Sequence, residues 1–386
     1  MKFCDDVNCS DDFYKHVNYH WIEETQIPDG HSKWSVFQMI HDDNLKKIKL
    51  LLEQAKKLPT FNKLFIIYSQ YLDYEKRNNP SNILYVQQIF DRINSCMTFT
   101  ELFNLMYDYE LLLNISFPLN TYIQSNFKDA NEVILHIGSG GLGLPDRDYY
   151  FKEDIVNKYK IFITEFSKLY GLIIDPEIVF NIEKKLAEKT YTKVQKRIPE
   201  LSDNLSDWNS IIKSCPNLQF IKQLFKKGHL EPGKINVANP NYLKFVNDFI
   251  VSHDLYNWKQ YFCFKIMLTF QNCLSEIIEQ AYFIFYSGVL SGVKKMKINW
   301  VRSIEFTESL LGQLLGQLYV EKHFNKHSKK KLIQMVDYIK KELHHILTTN
   351  DWMADETKVK AIQKLAKINV KIGYPDKWKD YSALTV

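Results

Sequence analysis

Eleven histidines in 386 residues make a metal centre the first chemistry to test. A helix carrying two imidazoles four residues apart presents both on one face, and a glutamate between them can take a proton from a metal-bound water; this is the logic of HExxH. No histidine of this chain sits in that pattern. The nearest imitation is Glu321-Lys322-His323-Phe324-Asn325-Lys326-His327. His323 and His327 have the two-ligand spacing, but Phe324 occupies the place of the general base, and Lys322 and Lys326 would repel a cation. These residues read as a polar helix end ahead of a cap at Ser328. His344-His345 is weaker, since helix neighbours point about 100° apart and share one ion poorly.

The second candidate is Gly138-Ser139-Gly140-Gly141-Leu142-Gly143-Leu144-Pro145, which follows the alternating run Val133-Ile134-Leu135-His136-Ile137 and invites a phosphate-binding reading. It lacks the Lys-Ser/Thr of a P-loop, and Pro145-Asp146-Arg147-Asp148-Tyr149-Tyr150 stands where a helix should begin. For nucleophilic catalysis there is no G-x-S-x-G elbow, and Cys4, Cys9, Cys96, Cys215, Cys263 and Cys273 form no CxxC pair; they read as reduced thiols. Asp146, Asp148, Asp351, Asp355 and Glu356 are available carboxylates, but spacing places no two of them at catalytic separation.

The elements that would position these residues are mostly helices. Phe37, Ile40, Ile48, Leu51 and Leu52 follow three-and-four spacing after Ser32, with Pro59 closing the segment. Thr98 with Glu101 is a capping box before Leu102, Leu105, Met106 and Tyr109. Asp175-Pro176-Glu177 supplies a cap, a first-turn proline and a dipole-matched acid, opening a helix through Ile182, Leu186 and Val194. Ser328 opens Leu332, Ile333, Val336, Ile339, Leu343 and Ile346, and a further helix runs from about Asp355 to Lys367. Gly312 and Gly316 fall four apart on one helix face, where a neighbouring helix could approach closely. The exceptions are the extended segment Val133 to Ile137 and a loop from Gly228 to Tyr242 with Pro232, Gly233 and Pro240.

Composition bounds the class. The chain is 45% hydrophobic and 25% charged, enough apolar matter for a large core and incompatible with a disordered tail. Only 13 Gly and 11 Pro argue for long helices over a sandwich or barrel of short strands. A net charge of +5 is too dilute for a nucleic-acid surface; Lys329-Lys330-Lys331 and Lys294-Lys295 read as solvated faces. The apolar run Ala281 to Val293 is short of the ~20 residues that span a bilayer, so no membrane span is expected. Asp5 and Asp6 lie where a signal peptide needs apolar residues, which points to the cytoplasm. The N-x-S sequons at Asn8, Asn114 and Asn204 would matter only in a secreted chain.

Beyond these physical readings, several segments resemble one family in order along the chain. Ser10-Asp11-Asp12-Phe13-Tyr14-Lys15-His16-Val17-Asn18 through Trp21, then Ile27-Pro28, resembles the opening of the neprilysin and endothelin-converting enzyme family of zinc metallopeptidases. Gly140 to Tyr150 resembles its GLGLPDRDYY loop, Leu186-Ala187-Glu188 with Arg197 its LAE…R helix, and Ile235-Asn236-Val237 its INV turn. Leu290-Ser291-Gly292, Trp300-Val301-Arg302 and Leu315 to Phe324 continue the series. Asp351-Trp352-Met353, Glu356-Thr357-Lys358 and Lys371 to Ser382 are similar to its DWM…ETK…KIGYPDKWRDYS.

The resemblance implies a mainly α, multi-helix N-terminal lobe over residues 1–386 with a few short extended segments, 1–60 and 301–386 packing toward a catalytic lobe. In the family, the substrate-binding Asn-Ala-aromatic segment, the HExxH helix, the third-ligand glutamate and the transition-state histidine all follow the stretch matched here. No catalytic, metal or cofactor-binding residue of the family therefore falls on this sequence, and zinc is expected only with a catalytic lobe supplied. His323 stands where the family has tyrosine, and the glycine loop becomes a packing feature. The leading expectation is a truncated or divergent homologue without proteolysis by itself. The runner-up is one half of a split zinc endopeptidase acting on peptides, its HExxH half being a separate chain; an enzyme with an unrecognised site is the third. Expected partners are a catalytic-lobe chain or a second copy.

Overall fold

The computed structural model describes residues 7–115, 117–228 and 233–386. The fold is mainly α: among the described residues seventeen α-helices stand against four short strands. Two compact units share the chain.

The first unit combines residues up to Asp73 with Tyr286–Lys330 and Ile372–Val386. Helices Val36–Ala55, Asn62–Leu72 and Asn299–His323 enclose its core, where Leu45, Leu52, Leu64, Ile304, Leu315 and Leu318 are buried. Ser303 Oγ donates to the Tyr68 carbonyl at 2.6 Å, fastening helix Asn299–His323 to helix Asn62–Leu72. The long helix Asn299–His323 kinks at Leu311, whose ψ is 35°, immediately before Gly312, a poor helix former. The expected glycine face receives no helix: Gly316 lies under the Trp378 ring of the C-terminal segment instead. Ser35, not Ser32, precedes the first long helix, because the residues between are bent or irregular.

The second unit combines Tyr74–Phe285 with Lys331–Lys371. Its centre is the helix Leu255–Phe270, in which Trp258, Tyr261, Phe262, Phe264, Lys265 and Met267 are all buried. A helix wrapped on every side has no polar face, so its sequence shows little amphipathic periodicity. Phe103 packs against Trp258 and Phe262, Phe117 against Phe262, and Phe220 against Phe103 and Phe117, with ring centroids 5.1–5.6 Å apart. The Thr98–Glu101 capping box and the Asp175 cap are both formed.

A four-stranded sheet flanks these helices. Strand β1 (Leu119–Ser125) pairs antiparallel with β2 (Val133–Ser139), β2 pairs parallel with β4 (Lys234–Val237), and β3 (Leu205–Asp207) closes antiparallel on β4. The extended segment expected at Val133 to Ile137 is thus a central strand. The loop expected from Gly228 to Tyr242 holds β4 and the start of helix Pro240–Val251, while its Pro232 lies outside the described residues, as do Cys4, Asp5 and Asp6.

Three boundaries differ from expectation. The helix opened by Asp175 ends at Lys189, and Val194 lies beyond it, exposed. The helix Lys326–Thr349 is capped by the Asn325 side chain, which accepts the Ser328 N–H at 2.8 Å, so Ser328 lies within the first turn. The run Ala281 to Val293 is split between helix Glu276–Phe283 and a π-helical turn. Among the described residues no helix is long and apolar enough to cross a membrane.

Candidate functional site

The glycine loop leaves β2 through a turn that only glycine can fill. Gly141 has φ of +83°, and a Cβ there would sit 2.7 Å from Tyr261 Oη. At Gly143 a Cβ would meet Tyr159 Oη at 2.0 Å. Tyrosines from four helical segments close on the loop. Tyr242 Oη donates to the carbonyls of Pro118 (2.8 Å) or Gly140 (3.0 Å), and Tyr261 Oη donates to the Gly141 carbonyl at 2.7 Å. Tyr150 Oη accepts the N–H groups of Gly143 and Leu144, each at 3.0 Å, and donates to Glu183 Oε2 at 2.7 Å.

Glu183 is fully buried and also accepts from Tyr159 Oη at 2.8 Å and from Lys265 Nζ. Burial drives the Lys265 ammonium below its ordinary range, and the facing Glu183 carboxylate opposes that drop. Burial also pushes the Tyr261 hydroxyl well above its usual value. The arrangement is a polar knot whose charges are satisfied within the protein. The N–H groups of Gly143 and Leu144, which a phosphate would need, already point at Tyr150. These two donors of the loop are spent on packing within the fold.

The histidine pair separates. His323 is the last residue of helix Asn299–His323, Phe324 breaks it with φ of −136°, and His327 belongs to the next helix. Both are exposed, and His323 packs on Tyr319 with centroids 5.0 Å apart. His344 and His345 are likewise exposed. Asp146 is the cap of a 3-10 turn, its carboxylate accepting the Asp148 N–H at 3.0 Å, and Asp355 and Glu356 sit in the first turn of helix Asp355–Ala366, where acids suit the dipole. Among the described residues no three His, Cys, Asp or Glu side chains gather as a metal site would require. Cys9, Cys96, Cys215, Cys263 and Cys273 are free thiols, and burial pushes Cys263 up to about 12, far from a nucleophile's range.

Sequence reasoning missed two buried ion pairs, Glu183–Lys265 and Arg77–Glu279, the latter at 2.8 Å. It also missed Glu110, 9% exposed, which burial raises to about 7 despite the Thr121 hydroxyl that donates to it at 3.3 Å. Each of these depends on a partner many residues away; only Lys265 amid the aromatic run Tyr261 to Phe264 offered a signal. The second unit carries cavities of about 720 Å³ beside Asn104 and Lys222, about 440 Å³ over the sheet and about 400 Å³ beside His344 and Leu365.

A family model described as Peptidase family M13, covering the N-terminal region, matches residues 9–375. Endothelin-converting enzyme 1 of Mus musculus is 25% identical over 391 residues, spanning 96% of this chain and 51% of that protein. The neutral endopeptidase of Lactococcus lactis is 26% identical over 394 residues, covering 97% and 62% respectively. The Mycobacterium tuberculosis zinc metalloprotease Zmp1, solved with an inhibitor, superposes with a TM-score of 0.89 at 23% identity, over 99% of this chain and 60% of that one. PepO from Lactobacillus rhamnosis gives 0.82 at 20% identity, over 96% and 60%. The chain spans roughly half to three fifths of the length of these relatives.

Proposed function

Because the chain belongs to peptidase family M13, we propose that it serves as the helical lobe of a zinc metallopeptidase and hydrolyses no peptide by itself. The observation that carries this reading is a conjunction. The family match runs through 9–375, yet the 386 residues contain no HExxH, and the described side chains offer no three-ligand set. These residues do not fit a zinc ion, so no catalytic step is assigned to them. In this reading the chain bounds a peptide-binding space, with zinc and its ligands contributed by a catalytic lobe.

A second reading, the split enzyme, draws support from the helix Lys326–Thr349. It has no buried residue, and Met335, Ile339, Leu343 and Ile346 lie exposed along it. A separate catalytic chain would cover such a stripe. The free thiols and the lack of a membrane-crossing helix among the described residues are compatible with work in the cytoplasm, and the dilute positive charge leaves nucleic acid outside the proposed partners.

The test is reconstitution. The purified chain, dialysed after exposure to zinc, is assayed on quenched-fluorescent peptides alone and then with a catalytic-lobe chain from a relative. No stoichiometric zinc and no cleavage alone are expected, with cleavage on addition of the second chain favouring the split form. One tightly held zinc per chain, or cleavage by the chain alone, overturns the proposal.

A further inference from the structure

The polar face of the sheet carries a cavity of about 440 Å³, within the size range of small-molecule sites. Its walls come from segments far apart in sequence: Tyr122 on β1, Asn236 on β4, Phe127 after β1, and Tyr191, Lys196 and Arg197 from the stretch that precedes β3. The basic rim is held in place. Thr192 N–H donates to Gln195 Oε1 at 2.9 Å, and Gln195 N–H donates to Thr192 Oγ1 at 3.2 Å, a reciprocal cap that fixes the turn bearing Lys196 and Arg197. Downstream, Asn236 Oδ1 accepts the Asn204 N–H at 2.7 Å while its Nδ2 donates to the Ser202 carbonyl at 2.8 Å, so this stretch is tied to β4.

The chemistry of the lining is asymmetric. Lys196 and Arg197 are its charged residues, no carboxylate lines the cavity, and neither cation has an ion-pair partner among the described residues. Three aromatic rings stand beside them, Tyr122, Phe127 and Tyr191. Asn120 stands on the same face of the sheet as Tyr122 and Asn236, and its side chain has no hydrogen-bond partner among the described residues. A guanidinium fork matches a carboxylate in two parallel hydrogen bonds, and aromatic faces favour a ring.

We propose that this cavity is a binding site for an aromatic carboxylate that also carries amide or hydroxyl groups, the chemistry of an acylated aromatic amino acid. The carboxylate meets Arg197 and Lys196, the ring lies among Phe127, Tyr122 and Tyr191, and the amide reaches Asn120. This rests on the cavity alone and is independent of the metallopeptidase reading.

The experiment is calorimetric titration of the full chain at low ionic strength with N-acetyl-phenylalanine and, separately, with its C-terminal amide. Saturable binding of one acid per chain is expected, at least tenfold tighter than the amide. Arg197→Gln and Lys196→Gln, both at exposed positions and so leaving the melting curve unchanged, are each expected to weaken the acid by roughly tenfold while leaving the amide untouched. Phe127→Ala should weaken both ligands. Absence of saturable binding, equal affinity for acid and amide, or acid affinity unaltered in the Arg197→Gln/Lys196→Gln double variant overturns the assignment.

Discussion

Tyr150 donates a hydrogen bond from its hydroxyl to Glu183 while its oxygen accepts the backbone N–H groups of Gly143 and Leu144, so one side chain couples the glycine loop to the buried ion pair. Tyr150→Phe keeps the ring and removes all three bonds. The buried Leu144 N–H and Glu183 oxygen and the half-buried Gly143 N–H then lose a partner, which should cost about 2–4 kcal/mol. Urea denaturation checks this: the midpoint should fall with little change in slope. A loss under about 0.5 kcal/mol would mean that the loop finds other acceptors.

The Glu183–Lys265 pair should show strong non-additivity. Glu183→Leu strands a buried ammonium and should cost about 3–5 kcal/mol, whereas Glu183→Leu with Lys265→Met removes both charges and should recover much of that loss. The two tyrosine hydroxyls left without Glu183 keep the double variant below wild type. A double variant worse than either single change would show that the ion pair contributes more than its desolvation removes. Gly143→Ala probes the same spot sterically, since its Cβ would overlap Tyr159 Oη, and a loss of about 2–3 kcal/mol is expected in the same assay.

What the sequence revealed follows from distance along the chain. The Thr98–Glu101 box and the Asp175 cap were legible because donor and acceptor lie within one turn of each other. The strand at Val133 to Ile137 was legible as extended, but its parallel pairing with Ile235 to Val237 rests on contacts 100 residues away. Lys265 was half legible: its place beside the aromatic run Tyr261 to Phe264 signals burial, but nothing in the local pattern names Glu183, 82 residues away, as its partner. The His323–His327 segment was legible as a polar helix end because its lysines and Phe324 are local features, and Phe324 does end the helix between the two imidazoles. The cavity over the sheet joins residues from four separate stretches and had no linear signature.

Glu110 makes stability depend on pH near neutrality. Its carboxyl, ordinarily at 4.5, is raised to about 7 in the fold, so between these values the native state binds more protons than the unfolded one. Stability should therefore fall as pH rises from about 4.5 through about 7 and then level off. Because solvent still reaches one edge of the group, the loss should amount to about 1–2 kcal/mol, less than the full shift implies. Glu110→Gln keeps an acceptor for Thr121 and removes the titration, so it should exceed wild type at pH 8 and match it near pH 5.

His136 acts with the opposite sign. Burial lowers it, and its Nδ1 accepts from Asn236 Nδ2 at 3.0 Å, an arrangement that requires the neutral ring. Native His136 thus binds fewer protons than the unfolded chain below its ordinary 6.5, and stability should drop as pH falls through that range. Thermal melts of His136→Gln should flatten this acid limb while leaving the Glu110 limb intact; an unchanged acid limb would assign it to other groups.

The last prediction concerns apolar surface. On helix Lys326–Thr349, Ile339 is 59% exposed and Ile346 52%, on the same stripe as Leu343, and near the other end of the chain Phe37 is 83% exposed on helix Val36–Ala55. Trp352 is 78% exposed as well, whereas Tyr374 and Trp378 stack on each other with centroids 5.9 Å apart and are half-buried. A row of large apolar side chains facing water favours association over a free monomer. At micromolar concentration the chain should therefore bind a hydrophobic dye and sediment above its monomer mass, or form a complex when a catalytic-lobe chain is present. Ile339→Glu and Leu343→Glu, at positions without buried contacts, should leave the unfolding midpoint within about 0.5 kcal/mol of wild type yet abolish both dye binding and association. A monodisperse monomer that binds no dye and captures no catalytic-lobe chain would show that these side chains are content in water and that the stripe is no interface.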